Sequence, residues 1–277
     1  DYLCATSLSY FFLDLLIKKI KSEINISDYL IYVLLATVCD VMPLRKLNRL
    51  IALNALKNFD ITKNLPLNTL FELNEKKNKI NINDLGYLIG PILNAGGRLG
   101  KSQYATELLS SNNDLVVNDR SKSLIKLNDK RKEIENLILE EIDFKKIEKE
   151  NKDVIIYYNP NINEGLIGII AARLKDYFNK PSFVITASNE LLKGSARSIY
   201  NYDIGRVIKN SLDKNIIING GGHNMAAGFT LDKVNLKDFE YYILEDFFKS
   251  NISHDNIFSY ESEVSSLALN QDFYEDL

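Results

Sequence analysis

The segment from Gln103 to Lys149 contains no proline and no glycine, and this absence constrains the fold more than any other feature of the chain. Its second half, NDRSKSLIKLNDKRKEIENLILEEI, repeats apolar residues at helical spacing among many charges. Without a helix-breaking residue, such a segment predicts one long amphipathic helix. A helix of this kind commonly bridges two domains while its polar face stays in solvent, so it divides the chain into two halves.

The two halves differ in the pattern of their apolar residues. Before the long helix, apolar residues recur at helical spacing from Thr6 to about Lys21, and a further helix is expected from about Lys46. After Lys152, the short apolar runs DVIIYY, KPSFVIT and KNIIING alternate with helical segments, of which EGLIGIIAARLKDYF is the clearest. This alternation predicts an α/β domain. We therefore expect two domains joined by the long helix.

The composition of the 277 residues excludes some classes of protein. A net charge of −3 excludes a globally cationic nucleic-acid binder, although a local basic groove is compatible with it. No apolar run approaches the ~20 residues that span a bilayer, and we expect no signal peptide, since Asp1 stands where a cationic region would be. Cys4 and Cys39 match no metal-ligand or redox spacing, so we expect two reduced core thiols in a cytoplasmic protein.

The stretch NGGGHNMAAGFT, Asn219 to Thr230, places three glycines directly before a histidine. Glycines such as Gly221 and Gly222 allow positive φ angles and let a ligand approach the backbone amides. The residues after His223 are expected to begin a helix whose N-terminus faces the same ligand, and His223 adds a donor for a phosphate. The alternative is a glycine turn that carries a core histidine.

Asp40 lies among apolar neighbours in ATVCDVMPL, at the end of an apolar run. Burial of an unpaired carboxylate costs several kcal/mol, so a partner should compensate its charge. A salt bridge to Arg45 or Arg49, or a helix cap, is one solution, and a divalent cation is another. One carboxylate does not hold such a cation alone, and the sequence shows no cluster of His, Asp and Glu with ligand spacing.

Two further stretches carry groups that bind phosphate. In GPILNAGGRLG we expect Gly90 and Pro91 to break a helix before a glycine loop, with Asn94 and Arg98 flanking the glycines. A planar guanidinium there grips two phosphate oxygens, whereas the alternative is a helix C-cap followed by a solvated arginine. The stretch KGSARS adds two cations and two hydroxyls, those of Lys193, Ser195, Arg197 and Ser198. Together these loops predict an interdomain cleft lined for an extended polyanion.

The sequence resembles the RecJ family of the DHH phosphoesterase superfamily in five stretches, which follow the family's order and spacing: ATVCDVMPL, GPILNAGGRLG, EGLIGIIAARL, KGSARS and GGHNMAAGF. The resemblance covers essentially the whole chain. It implies a single-stranded-DNA-specific 5′→3′ exonuclease of DNA recombination and repair that uses Mn²⁺ or Mg²⁺. Single-stranded DNA is then the partner, and a single-strand-binding protein and a helicase are further candidates.

The resemblance also assigns the parts of the chain. Residues 1–118 correspond to the later part of a DHH catalytic domain, 119–149 to a connecting helix, 150–250 to a DHHA1 domain and 251–277 to the start of an OB-fold. The Asp-x-Asp and Asp-His-His metal motifs of the family are absent from this sequence. We therefore expect a fragment whose other metal ligands lie upstream and which is inactive alone.

Individual residues take family roles through this resemblance. Asp40 matches a metal-binding aspartate and is the candidate catalytic residue, while Asn94 and Arg98 match a loop near the scissile and 5′-terminal phosphates. The phosphate contacts and the DHHA1 signature of the second domain are matched by Ser195, Arg197, Ser198, Gly221, Gly222 and His223.

The sequence departs from the family pattern at two places. Ile92 stands where the family usually has arginine, so one cationic contact is lost or supplied elsewhere. Ile162 and Asn163 stand where the family has Trp-His, so any substrate contact there must come from a neutral amide.

Two other functions are compatible with these residues. One is a different DHH phosphoesterase that acts on short oligonucleotides or cyclic dinucleotides. The other is a non-catalytic nucleic-acid-binding module, in which the cleft is kept without metals.

Overall fold

The computed structural model describes residues 2–250, 260 and 262–276 of the chain. Its helices are α1 (Ala5–Ile20), α2 (Leu30–Cys39), α3 (Lys46–Asn58), α4 (Leu65–Leu73), α5 (Gly90–Arg98), α6 (Gln103–Ser110), α7 (Asp114–Glu141), α8 (Phe144–Glu150), α9 (Ile167–Phe178), α10 (Ile204–Asp213), α11 (Leu236–Lys249) and α12 (Gln271–Asp276). Its strands are β1 (Ile155–Tyr158), β2 (Ser182–Ser188), β3 (Leu191–Arg197), β4 (Asn219–His223) and β5 (Ala226–Asp232). Short 3₁₀ turns cover Ile26–Tyr29, Ile61–Lys63 and Lys233–Asn235, and a π-helical turn covers Asp84–Ile89.

The first half of the chain is helical, and its helices share one apolar core. The helices predicted from Thr6 and from Lys46 are present as α1 and α3. α2 is buried on most sides and lies at the centre of this core, which also contains Leu67 and Leu70 of α4 and Leu85 of the π-helical turn. Apolar burial of this kind supplies the main stabilising free energy of the half. No described helix is long and apolar enough to cross a membrane.

One face of α1 has no partner within the described residues. Leu8, Phe12, Leu15 and Ile20 recur at helical spacing, and each side chain is more than half exposed. A helix of a globular protein normally turns such a face toward a core, whereas this face stays exposed among the described residues.

The predicted long helix is present, but its limits differ from the expected 119–149. α7 runs for 28 residues, about 42 Å, and begins where Asn113 accepts hydrogen bonds from the amides of Leu115 and Val116. It ends at Glu141 because Ile142 is extended, and Asp143 then caps the separate helix α8. This helix therefore ends without a proline or a glycine. For that reason, the absence of both residues up to Lys149 predicts a longer helix than the structure has.

α7 belongs to both cores of the molecule. Its first part buries Val117 and Leu124 among the helices of the first half. Its last part buries Ile138 against Ile167 and Ile170 of α9, in the second half. The expected bridge between two units is therefore a helix that each unit needs for its own core.

The second half is the expected α/β unit, with a five-stranded sheet in the order β1-β2-β3-β5-β4. β1 and β2 are parallel, and every other neighbouring pair is antiparallel. Asp203 caps α10 by accepting a hydrogen bond from the amide of Arg206. The strand predicted in KNIIING is wrong in its position, because residues 214–218 form a turn and β4 starts at Asn219.

The two faces of the sheet are covered unequally. One face packs on α10 and α11 through residues such as Phe183 and Phe229. The other face packs on α9 over β1, β2 and β3. Over β4 and β5 this second face stays open: a Cβ atom on Gly221 would meet nothing within 4 Å, and Gly228 is exposed. The open area lies beside the start of α9.

The predicted start of an OB-fold lies partly outside the described residues, since residues 251–259, 261 and 277 are not described. The described part of this region contains a turn at residues 266–268 and the helix α12.

Gly194 tests how tightly the sheet packs on its α11 side. A Cβ atom there would overlap the ring of Phe229, which is itself held by Phe183 and Phe239. We expect Gly194→Ala to lower the free energy of unfolding by about 1–3 kcal/mol, because the ring has no room to move. Urea unfolding monitored by circular dichroism measures this change.

Gly221→Ala is the matched control, since a methyl group there enters open space. We expect its free energy of unfolding to stay within about 0.5 kcal/mol of the parent value. Equal destabilisation by both substitutions would contradict the packing role of Gly194.

Candidate functional site: a groove between the two halves

The glycine-rich stretch GPILNAGGRLG is helical, so the expected break at Gly90 and Pro91 and the loop after it are wrong. The π-helical turn before Gly90 widens the backbone, which accommodates a proline without ending the helix. Gly90 lies against Cys39, where a Cβ atom would be 2.5 Å from the sulfur. Gly96 lies against the Lys101 carbonyl and Leu124 in the same way. These glycines serve close packing between elements and not a flexible turn.

Arg98 is the last residue of α5 and reaches the second half of the chain. Its Nη1 donates a hydrogen bond of 3.2 Å to the carbonyl of Gly165. The backbones also touch there, because a Cβ atom on Gly165 would overlap the carbonyl oxygen of Arg98. Burial lowers the pKa of the Arg98 guanidinium, and the positive charge of Arg131 lowers it further. Asn94 lies exposed one helical turn before Arg98.

The stretch KGSARS is not a loop after a strand, because its first five residues lie within β3 itself. Lys193, Ser195 and Arg197 alternate along β3 and therefore point to one face of the sheet. Nη1 of Arg197 donates to the hydroxyl of Ser195 at 3.1 Å and to the carbonyl of Ala196 at 2.9 Å. Burial lowers the pKa of Arg197, and the charge of Arg98 lowers it further. The structure thus brings these two arginines within electrostatic range of each other.

Ser198 does not join this arrangement. Its side chain is buried, and its hydroxyl donates a hydrogen bond of 2.5 Å to the carbonyl of Tyr202. A hydroxyl that is already committed in the core is not available to a phosphate. The expectation that Ser198 contacts substrate is therefore not supported by the structure, although it still shapes the turn after β3.

The stretch NGGGHNMAAGFT forms the hairpin of β4 and β5, so the expected glycine loop before a helix is wrong. Gly222 has a packing role, because a Cβ atom there would overlap the carbonyl oxygen of Ala226. Gly221 instead faces open space on the uncovered side of the sheet. The helix N-terminus near this hairpin is that of α10, where Gly205 lies against the backbone of His223.

His223 is exposed at the end of β4 and is not a core residue. Its Nδ1 accepts a hydrogen bond of 3.3 Å from the amide of Met225. The same Nδ1 lies 3.4 Å from Oδ1 of Asn224, and in the tautomer that accepts from Met225 the neutral ring carries its proton on Nε2, as a donor for a ligand. The strand pairing sets His223 opposite Ala226, which itself pairs with Arg197, so all three share one face.

A groove of about 550 Å³ lies between the two halves beside this open face. Its lining comes from Gly97, Arg98, Gly100, Asn163, Glu164, Gly165, Ile167, Lys193, Gly194, Gly228, Phe229 and Thr230. Lys193 forms an ion pair with Glu164 at 2.5 Å, and this contact lowers the pKa of the Glu164 carboxyl. In contrast, no carboxylate of the described residues lies within ion-pair distance of Arg98 or Arg197. The groove therefore has one desolvated cation in its lining, Arg98, which an anion is able to pair, and Arg197 lies within electrostatic range of it.

Residues of α9 and of the turn before it complete the groove, and among them the sequence predicts a substrate contact only at Asn163. Gly168 leaves room for the guanidinium, because a Cβ atom there would lie 3.0 Å from Nη2 of Arg197. The sequence signal for this close approach is the pair of glycines in EGLIG, which stand three residues apart where an apolar helix begins. The oxygen of the Asn163 side chain accepts a hydrogen bond of 2.8 Å from the amide of Gly165.

Ile92, the other departure from the family pattern, is buried in the first core.

Asp40 is not buried as expected, and it does not line this groove. It is the exposed C-cap residue of α2, and the helix ends with the amides of Val41 and Met42 bonded to the carbonyls of Val38 and Thr37. Val41 has a φ of 53°, an unfavourable angle for a β-branched residue, so this turn is strained. Neither Arg45 nor Arg49 pairs with Asp40 among the described residues.

The described residues contain no group of three or more His, Cys, Asp or Glu side chains that would hold a metal ion. Asp40 alone does not fit a divalent cation, which needs several oxygen or nitrogen ligands. Its place at the negative end of a helix dipole does favour a nearby cation.

The sequence of this chain is similar to those of known proteins. Residues 151–249 match the DHHA1 domain family. The chain is 34% identical over 231 residues to the single-stranded-DNA-specific exonuclease RecJ of Haemophilus influenzae, covering 80% of this chain and 40% of that protein. It is 31% identical over 209 residues to the RecJ of Bacillus subtilis, covering 74% of this chain and 26% of that protein. The chain thus spans less than half the length of these relatives.

Solved structures show the same fold. RecJ of Thermus thermophilus in complex with Mg²⁺ superposes with a TM-score of 0.70 at 23% identity, over 80% of this chain and 35% of that one. An exonuclease RecJ bound to manganese superposes with a TM-score of 0.70 at 21% identity, over 91% of this chain and 62% of that one.

Proposed function

Because the chain is RecJ-like and carries a DHHA1 domain over residues 151–249, we propose that it is the strand-gripping part of a single-stranded-DNA-specific 5′→3′ exonuclease. One observation carries this proposal. Arg98 and Arg197, from the two halves of the chain, lie half-buried near each other without a carboxylate partner among the described residues. A desolvated guanidinium without a counter-ion is stabilised by a phosphate, which it grips with two parallel hydrogen bonds.

The open face of the sheet supports a polymer as the ligand. Lys193, Ser195 and Arg197 form a row along β3, and Gly221 and Gly228 leave the neighbouring strands without side chains at the level of Ser195. A row of cations beside a bare backbone surface suits a sugar-phosphate chain that runs along the strands. In this arrangement Arg98 and Arg197 bind the 5′-terminal phosphate with Ser195 beside them. His223 and Asn94 then contact the next nucleotides.

Cleavage requires groups beyond the described residues. The proposed enzyme binds Mn²⁺ or Mg²⁺, as the similar RecJ structures do, and Asp40 contributes one ligand. The remaining ligands are proposed to come from Asp-x-Asp and Asp-His-His motifs in further polypeptide. Bound metal would activate water and stabilise the leaving oxygen.

The apolar face of α1 supports such further polypeptide. Cys4, at the start of α1, contacts Thr37 near the end of α2, so the start of α1 lies near the turn that carries Asp40. A segment packed on Leu8, Phe12 and Leu15 would remove their apolar surface from water and bring its own side chains close to Asp40. The complete enzyme is proposed to act in the cytoplasm, in DNA recombination and repair, with a single-strand-binding protein or a helicase as a partner.

A second candidate function is a nucleic-acid-binding module without catalysis. The observation in its favour is the lack of a metal-binding cluster among the described residues. The two candidates differ in whether the complete polypeptide cleaves single strands when Mn²⁺ or Mg²⁺ is added.

The grip on phosphate is tested with Arg98→Gln and Arg197→Gln. We expect each to weaken binding of a 5′-phosphorylated single-stranded oligonucleotide by about 10- to 100-fold, because each removes a charge-assisted hydrogen bond. Fluorescence anisotropy at one fixed salt concentration measures the affinity. Lys209→Gln removes the same charge from α10, on the other side of the sheet, and should have little effect. A loss as large in this control would point to nonspecific attraction.

The bare sheet face is tested with Gly221→Val. A branched side chain suits a strand and meets open space here, so we expect stability to be unchanged or slightly higher. The same side chain would lie where the strand is proposed to run, so oligonucleotide affinity should fall. Calorimetry and anisotropy on one sample separate the two effects. An oligonucleotide affinity equal to that of the parent chain would remove the sheet face from the binding surface.

The role of Asp40 is tested in the polypeptide that also carries the Asp-x-Asp and Asp-His-His motifs. We expect Asp40→Ala to abolish cleavage of single strands with either Mn²⁺ or Mg²⁺, because a metal ligand is lost. Strand binding should remain largely intact, since Asp40 does not line the groove. Release of mononucleotides from a labelled strand is the measurement, and retained cleavage with Mn²⁺ would exclude Asp40 from the metal site.

A further inference from the structure

Glu135 is a buried carboxylate at the junction of the two halves. It lies on α7, and its Oε2 accepts a hydrogen bond of 2.7 Å from Nη1 of Arg131, one helical turn earlier. Its Oε1 accepts a hydrogen bond of 2.7 Å from Nε of Arg173, which belongs to α9 in the other half. The same carboxylate therefore ties α7 to α9 through one of its two oxygens.

This contact and the Arg98 contact hold the same helix at two points. Arg98 bonds to Gly165, just before α9, and Glu135 bonds to Arg173 in the middle of α9. Gly168 of α9 lies against the guanidinium of Arg197. Any rotation of α9 away from α7 would thus change how Arg98 and Arg197 face each other.

The positive charges near Glu135 outnumber its single negative charge. Four arginines, Arg98, Arg131, Arg173 and Arg197, lie at or near the junction, and Glu135 is within electrostatic range of Arg98. Arg131 is fixed further by Asn128, whose side-chain oxygen accepts from its Nε at 3.1 Å. Arg131 and Arg173 are both bonded to Glu135, and neither lines the groove.

We infer that Glu135 is a positioning residue for the groove. By binding Arg131 and Arg173 at once, it fixes α9 against α7 and keeps Arg98 and Arg197 converged on one phosphate. The inference rests on the proposed function for the identity of the ligand, but the arrangement of α9 is a property of the unliganded chain.

Loss of the Glu135 charge changes phosphate affinity in one direction if Glu135 acts through its charge alone, and in the opposite direction if it positions the arginines. Removal of a negative charge near an anion site strengthens anion binding through the electric field alone. A positioning role gives the opposite result, because the arginines lose their alignment. Glu135→Gln is suited to this comparison, since the amide keeps the size of the side chain but is able to accept from only one of the two arginines.

The experiment measures two quantities on the full 277-residue chain. One is the ratio of dissociation constants for 5′-hydroxyl and 5′-phosphorylated single-stranded oligonucleotides. The other is amide hydrogen exchange of residues 163–173 without ligand. We expect Glu135→Gln to lower the ratio and to speed this exchange, each by roughly tenfold. A merely structural role would lower the thermal midpoint but leave the ratio of the folded protein unchanged.

Arg173→Ala is the second variant and covers the case in which Glu135→Gln does not fold. Its side chain is largely exposed, and its loss leaves Glu135 paired with Arg131, so it removes the interdomain bond alone. We expect Arg173→Ala to lower the ratio of dissociation constants and to speed the amide exchange, as Glu135→Gln does. Arg173→Lys should show smaller changes in both quantities. Glu133→Gln, an exposed glutamate on the same helix, is the matched control and should match the parent chain.

Unchanged or tighter phosphate binding in Glu135→Gln, or parent-like exchange in Arg173→Ala, would overturn the positioning role. If the parent chain does not distinguish the two oligonucleotides, the proposed phosphate site fails instead. In that case the exchange measurement alone decides whether Glu135 holds α9.

Discussion

The contact between the backbone of Gly165 and the last turn of α5 sets the geometry of the whole site. At this point no side chain separates the two halves, because a Cβ atom would overlap the carbonyl oxygen of Arg98. The approach is close enough for the Arg98 guanidinium to bond to the Gly165 carbonyl and to remain half-buried. The groove, the side chain of Arg98 and the start of α9 take their positions from this contact.

Glycine in this chain acts mostly through the room it leaves. Gly90, Gly96, Gly168 and Gly194 each allow a neighbouring side chain or backbone to approach where a methyl group would not fit. Gly221 differs, since the space above it is empty. The same residue type therefore allows close packing at some positions and leaves open surface at others, such as Gly97 and Gly221, and the structure distinguishes these uses.

Much of the fold could be predicted from the sequence because its signals are local. The apolar periodicity of α1, the run of β2 and the cap at Asp203 are each determined within a few residues. The glycine stretches were misinterpreted because a missing side chain suits a turn and a close contact equally well. Ser198 and Glu135 could not be assigned, because the carbonyl of Tyr202 and the guanidinium of Arg173 reach them only in the folded chain. Arg98 and Arg197 could be chosen as phosphate ligands, but their proximity depends on the long-range packing of α9.

The sharing of α7 between two cores has a consequence for the unfolding of the molecule. Val117 and Leu124 are buried in one core and Ile138 in the other, along a single continuous helix. Loss of helix in either part of α7 removes apolar contacts from that core and frays the helix toward the other. The two halves are therefore coupled in stability, so that unfolding of one half destabilises the other and removes the groove between them.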